Sequence, residues 1–132
     1  MPANAKIISE RRYDLPLSRL MMLYNSAAFV VVTHHGTDNL IGVNVLLAAM
    51  PMANAVVPPV GEGIDIDPVT LDSGLKIPPH DVDALETSIR KLLTNKEPTR
   101  RMGKMARHLV EAGFNTHAMA NRIYDTMIGG LA

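Results

Sequence analysis

The stretch FVVVTHHGTDNLIGVNVLLAAMPMANAVVPP, from Phe29 to Pro59, decides the fold. Phe29–Thr33 is an apolar, β-branched run, the composition of a strand buried on both faces. His34–Asn39 is a polar break around Gly36. Leu40–Met52 sets Ile41, Val45, Ala48, Ala49 and Met52 at helical spacing. Ala55–Val57 is a second short apolar strand, closed by Pro58 and Pro59. A strand, a helix and a strand in one sheet make a right-handed βαβ unit. The loop His34–Asn39 then lies at the carboxyl end of the first strand, beside a helix N-terminus. Open α/β sheets hold anionic ligands there.

Outward from this unit the pattern stays mixed. Toward the N-terminus, Leu17, Leu20, Met21, Leu23, Tyr24 and Ala27 predict a helix over 16–27, with Asp14 or Ser18 as cap and Pro16 in its first turn. Lys6–Ser9 reads as a short strand and residues 1–4 as frayed. Toward the C-terminus, PPVGEGIDIDPVTLDSG is a loop punctuated by Pro and Gly, in which the alternation Ile64–Asp67 suits a brief edge strand. Leu75–Ile77 is another short strand, stopped by Pro78 and Pro79. Asp81 then caps a helix whose apolar face is Val82, Leu85, Ile89, Leu92 and Leu93, with Asn95 at its end. A helix over 97–112 follows, with Pro98 in its first turn and Met102, Met105, Ala106, Leu109 and Val110 inward. The last helix, capped by Asn115 or Thr116, presents Met119, Ile123, Tyr124 and Met127 and stops at Gly129 and Gly130. Strands alternating with helices predict a parallel α/β sheet.

Composition narrows the function classes. The chain has 132 residues and a formal net charge of zero, which fits one domain and gives no electrostatic case for nucleic acid or an acidic membrane surface. The pairs Arg11–Arg12 and Arg100–Arg101 read as solvated surface charge. Cysteine is absent, which excludes disulfides, thiolate chemistry and cysteine zinc sites. No apolar run reaches the ~20 residues of a membrane span, and the N-terminus has no signal-peptide core, so a cytoplasmic protein is expected. The nine methionines read as adaptable core fillers.

Several blocks, in order, resemble one family. Leu23–Ala27 reads LYNSA, and Leu47–Val57 aligns without a gap on the pattern LEAMAMGKPVV. Asp72–Leu85 follows DGETGLLVPPGDPEAL, and Arg100–Phe114 follows RRMGEAARxxVEExFxW. The run from Leu17 to Ile128 is thus similar to the later part of the C-terminal, nucleotide-sugar-binding domain of retaining GT-B glycosyltransferases, the group 1, family 4-like enzymes. The resemblance implies a truncated, Rossmann-like α/β fold: a three-layer parallel sheet flanked by helices, with a C-terminal pair of helices, in a single domain over residues 1–132. It also implies a ligand, a nucleotide sugar linked to UDP or GDP.

The residues depart from the family where it grips that ligand. The Glu of LEAM, which bonds the ribose, is Ala48 here, and alanine accepts no hydrogen bond. The family's earlier acidic loop corresponds to Thr37–Gly42, in which Asp38 is the carboxylate. Pro51 and Ala53 replace a small Ala and a Gly, and Pro51 disturbs the last helical turn. The family's phosphate-gripping Arg and Lys, and its acceptor domain, have no counterpart in the chain. The expected site is therefore a residual one: backbone N–H groups at Gly42, Val43 and Asn44 toward a diphosphate, side chains of Thr37, Asp38 and Asn44 beside them, and Ala48 at the ribose position. No catalytic residue, metal or cofactor is expected.

Other constellations are weaker. His34 and His35 leave a strand on opposite faces, so the pair with Asp38 makes a poor metal site. His35 as a general base has no partner placed by sequence. Asp65 and Asp67 read as a solvated edge loop, and no serine sits in a nucleophile motif. The competing reading is a non-catalytic interaction protein, a homodimer formed through an open sheet edge beside Lys6–Ser9 or Phe29–Thr33.

Overall fold

The computed structural model describes residues 15–33, 43–58 and 67–130. In chain order these form α1 (Leu17–Ser26), β1 (Phe29–Val31), α2 (Val43–Ala49) with a 3-10 turn Met50–Met52, β2 (Ala55–Val57), α3 (Val82–Thr94), α4 (Lys96–Ala112) and α5 (Thr116–Gly129). The expected strand at Lys6–Ser9, the cap candidate Asp14, the loop His34–Asn39, the start of the second helix at Leu40–Gly42 and the edge strand at Ile64–Ile66 lie outside the described residues.

β2 is the middle of the structure. It pairs in parallel with β1, with Phe29 opposite Ala55 and Val31 opposite Val57, and the Val32 N–H extends the ladder to the Val57 carbonyl at 3.0 Å. On its other side β2 meets residues 73–77, also in parallel. The Val56 N–H donates to the Ser73 carbonyl at 3.1 Å, the Leu75 N–H to the Val56 carbonyl at 3.0 Å, and the Ile77 N–H to the Pro58 carbonyl at 3.2 Å. The strand expected at Leu75–Ile77 is thus a bridging segment rather than a full strand. The described residues make a two-stranded sheet where a wider one was expected.

Pairing on both sides explains the burial. Ala55, Val56 and Val57 are all fully enclosed, whereas β1 is half-buried along its length, not buried on both faces as its composition suggested. Alternate residues of the strands feed two apolar clusters. Val30, Val32 and Val56 meet Leu46, Ala49, Met50 and Ala106. Phe29, Val31 and Val57 meet Leu75, Ile77, Leu85, Leu92 and Met102. Each fully buried Val, Leu or Met contributes about 1.5–3 kcal/mol of transfer free energy.

Two glycines set how closely the pieces approach. A Cβ on Gly74 would stand 1.8 Å from the Val56 carbonyl oxygen, and one on Gly103 would stand 1.9 Å from that of Ala53. α4 therefore lies directly on the backbone entering β2, and the bridging segment directly on β2 itself. Thr99, also buried, ties α4 to the end of α3: its hydroxyl lies 2.8 Å from the carbonyl oxygens of both Leu92 and Asn95 and shares its one proton between them.

Helix ends follow local chemistry. The Asp81 carboxylate accepts from the Ala84 N–H at 2.8 Å, as expected of the cap, and Asn95 closes α3. The Asn115 side chain accepts from the Ala118 N–H at 2.9 Å, which settles that cap in favour of Asn115. α1 differs: Pro16 stands at its N-cap with no side-chain bond, so Ser18 does not cap it. Pro51 has the effect expected of it. It has no N–H to continue the α ladder, and Met50–Met52 tighten into a 3-10 turn ending at Ala53 in the left-handed region, φ 58°.

Three expected apolar faces need correction. On α1, Leu20, Met21 and Tyr24 are half-buried, but Leu17, Leu23 and Ala27 are exposed. On α3, Leu92 is buried and Leu85 and Ile89 are half-buried, but Val82 and Leu93 face solvent because they flank that stripe. On α5, Met119, Ile123, Tyr124 and Met127 are all exposed. The methionines divide likewise: Met50 is fully buried, whereas Met22, Met119 and Met127 are not.

Candidate functional site

β1, β2 and the segment 73–77 run in the same direction, so their carboxyl ends, at Val31–Thr33, Val57–Pro58 and Ile77–Pro78, share one end of the sheet. α2 returns the chain between two parallel strands. Its N-terminus therefore opens at that same end, as the sequence reading required of the site. α3 begins there too, after Pro79, but its N-terminus is occupied by the Asp81 carboxylate and carries Asp83 in the first turn. Two carboxylates make that end repel an anion. Of the two helix starts at this end of the sheet, α2 is the one free of acidic residues in its described first turn.

The expected site residues divide. Thr37, Asp38 and Gly42 lie outside the described residues, as do His34 and His35. Val43 is the first residue of α2, Asn44 is exposed and Ala48 is half-buried. Asn44 and Ala48, four apart, lie on the same helical face. Leu46 and Ala49, by contrast, are fully buried in the core. Side chains on a helix lean toward its N-terminus. A longer residue at position 48 would reach toward Asn44 and the carboxyl ends of the strands. As it stands, this face offers one amide side chain and no carboxylate. Among the described residues, no three His, Cys, Asp or Glu side chains group closely enough to hold a metal ion.

Sequence reading missed Asn54, at the entry to β2. It is fully buried, and its Nδ2 donates to the carbonyls of Tyr24 at 2.8 Å and Ala49 at 3.2 Å. One side chain thus joins the end of α1 to the end of α2. Its Oδ1 is buried and has no hydrogen-bond partner among the described residues. A polar residue immediately before an apolar strand was the available signal, but periodicity reads it as a loop residue.

Asp67 was read as part of a solvated edge. It is exposed, as that reading has it, and it also organises a turn. Oδ1 accepts from the N–H groups of Val69 at 3.0 Å and Thr70 at 3.4 Å, while Oδ2 takes Lys76 at 2.7 Å. The Lys76 hydrogen bond, foremost, lowers the carboxyl from an ordinary 3.8 to about 2. The turn leads to Ser73 and Gly74, so this exposed pair steadies the segment that flanks β2.

No protein-family model matches the chain, and no curated protein gives a significant match. Among solved structures, the chain is similar to a sucrose-phosphate synthase from Thermosynechococcus elongatus, with a TM-score of 0.67 and 26% sequence identity over 85% of this chain. The chain has a glycosyltransferase-like fold. It spans 28% of the length of that synthase. The α/β arrangement expected from the sequence agrees with this likeness, with five helices and a small parallel sheet among the described residues. None of the described helices is long and apolar enough to cross a membrane.

Proposed function

We propose that this chain is a module of the C-terminal, nucleotide-sugar-binding kind found in GT-B glycosyltransferases, with a residual crevice for a UDP- or GDP-linked sugar and no catalytic activity of its own. The observation that carries the reading is the likeness to a synthase of this fold, combined with the resemblance of Leu47–Val57 and Asp72–Leu85 to the family's blocks. The shared end of the sheet, beside the start of α2, is the place for the ligand. Asn44 and the first amides of α2 would face the phosphates, with Thr37, Asp38 and Gly42 completing the loop. The wider three-layer sheet and the single-domain extent over 1–132 belong to the same proposal.

Weak binding follows from Ala48. A ribose hydroxyl that meets a methyl group gains no charge-assisted hydrogen bond, a loss of about 1.5–3 kcal/mol, or roughly tenfold to a hundredfold in affinity. Catalysis would need acceptor-binding groups and phosphate-gripping side chains that the described residues at this end of the sheet do not supply.

The experiment is calorimetric titration with UDP, GDP and their sugars, on the wild type and on Ala48→Glu. Binding in the millimolar range is expected for the wild type and at least about tenfold tighter binding for the variant, because Glu on this face reaches the ribose. If neither protein shows heat or a melting shift at millimolar nucleotide, the crevice reading is wrong.

A further inference from the structure

Among the described residues, nothing pairs with the side of β1 that faces away from β2. The phase of the ladder identifies the groups on that side. The Val32 N–H donates to the Val57 carbonyl, and Val30 and Val31 stand opposite Val56 and Val57. Successive residues of a paired strand turn their backbone groups to alternate sides. Val30 and Val32 therefore face β2, and the N–H and C=O groups of Phe29 and Val31 face away from it. β2 obeys the same alternation, since Val56 turns its N–H to Ser73 and its carbonyl to Leu75. β2 is thus paired on both sides and β1 on one. β1 is half-buried, and a half-enclosed backbone needs partners for its polar groups.

We propose that Lys6–Ser9 of the same chain occupies this edge, paired in parallel with β1. Handedness selects it. Tyr24 of α1 meets Leu46 and Ala49 of α2 in one cluster with Val30 and Val32, so both helices lie on the same face of the sheet. The Asn54 side chain joins their ends there. α2 carries the chain one step across the sheet, from β1 to β2. A right-handed crossover through α1, on that same face and ending in β1, must step in the same direction. Its starting strand then lies beside β1, on the side away from β2. A start beyond the segment 73–77 would need a left-handed connection. Composition agrees: Lys6-Ile7-Ile8-Ser9 holds the β-branched apolar pair that precedes α1. Length agrees too. Seven residues, 10–16, join Ser9 to α1. They reach about 23 Å when extended, and adjacent layers stand roughly 10 Å apart.

The pairing takes from the expected homodimer the edge it would use. An unpaired strand edge is a template for other chains, and a segment of the same chain lying on it acts as a guard. The inference does not depend on the nucleotide reading.

The test is amide hydrogen exchange of the full chain, read residue by residue. In the wild type, the outward Val31 amide should be protected at a level independent of protein concentration. Ile7→Pro/Ile8→Pro removes the donors of the segment. It should lower Val31 protection by at least about tenfold while the central Val57 amide stays protected. Ala3→Pro, outside the segment, should change neither. The chain contains no cysteine, so a nitroxide on Ser9→Cys gives a second reading that needs no disruption. It should broaden the Val31 amide signal more than that of Leu75, which lies beyond β2. A Val31 amide that exchanges as freely as an exposed one in the wild type would overturn the proposal. So would protection indifferent to the two prolines, or equal broadening at Val31 and Leu75. Val31 protection that rises with protein concentration would also overturn it, and would give the edge to a second copy.

Discussion

β2 and α5 are both rich in apolar residues, yet β2 is wholly enclosed and α5 has no buried residue. The difference is what stands next to each. β2 has a strand on one side, a bridging segment on the other, and α4 against the backbone that leads into it. α5 has an end anchored and a length unsupported. An apolar stripe thus states a need for a partner and does not say where that partner is.

The sharpest way to break the comparison is to crowd β2. Gly103→Ala gains up to about 1 kcal/mol in helix propensity, but its Cβ would fall 1.9 Å from a backbone oxygen that cannot swing aside. The collision wins. A net loss of about 3 kcal/mol is expected in urea denaturation, as for Gly74→Ala, where the approach is 1.8 Å. Wild-type stability would mean that α4, for Gly103→Ala, or the segment 73–77, for Gly74→Ala, does not sit where it is described.

Next comes Asn54→Ala, which takes the side-chain donor from the buried bond to the Ala49 carbonyl and leaves the Tyr24 carbonyl with the Ala27 N–H alone. About 2 kcal/mol of destabilisation is expected, and the amides that follow α1 should lose hydrogen-exchange protection before those of α4. A smaller, opposite effect is expected of Ala53→Gly. Ala53 holds φ 58°, a region that glycine enters without the Cβ penalty, so the variant should gain about 1 kcal/mol and raise the melting temperature.

The smallest effect is at Asp67. Its carboxyl is lowered from 3.8 to about 2, so the folded state favours the charged form. Its contribution is complete above pH 3.8 and is lost as pH falls through about 2. Acid unfolding of the wild type and Asp67→Asn should therefore converge across that interval and stay parallel above it. Curves that diverge on acidification would contradict the Lys76 pairing. The effect is small because both side chains are exposed to solvent screening.

Much of the fold was legible along the chain. Asp81 and Asn95 mark the ends of α3, Ala55–Val57 coincide with β2, and the disturbance at Pro51 is present as a 3-10 turn. These features are local: a carboxylate three residues from an amide, a β-branched run, a ring that lacks an N–H. The candidate site was legible only as a place, the end of a sheet beside α2. Asn44 and Ala48 share a face there, and Thr37, Asp38 and Gly42 fall outside the described residues. Asn54 escaped notice because its partners lie 30 and 5 residues away, and no spacing rule connects them.

The sequence by itself determined the kinds of elements, most of their ends and the left-to-right order of strand and helix, because those depend on backbone preference and neighbours within one turn. Only the tertiary structure decided which apolar faces are used: that Gly103 is a contact rather than a weak point in a helix, that Val82 and Leu93 are outside, and that the stripe on α5 has no cover within the described chain. Burial is a property of pairs of surfaces, and a linear pattern holds just one surface of each pair.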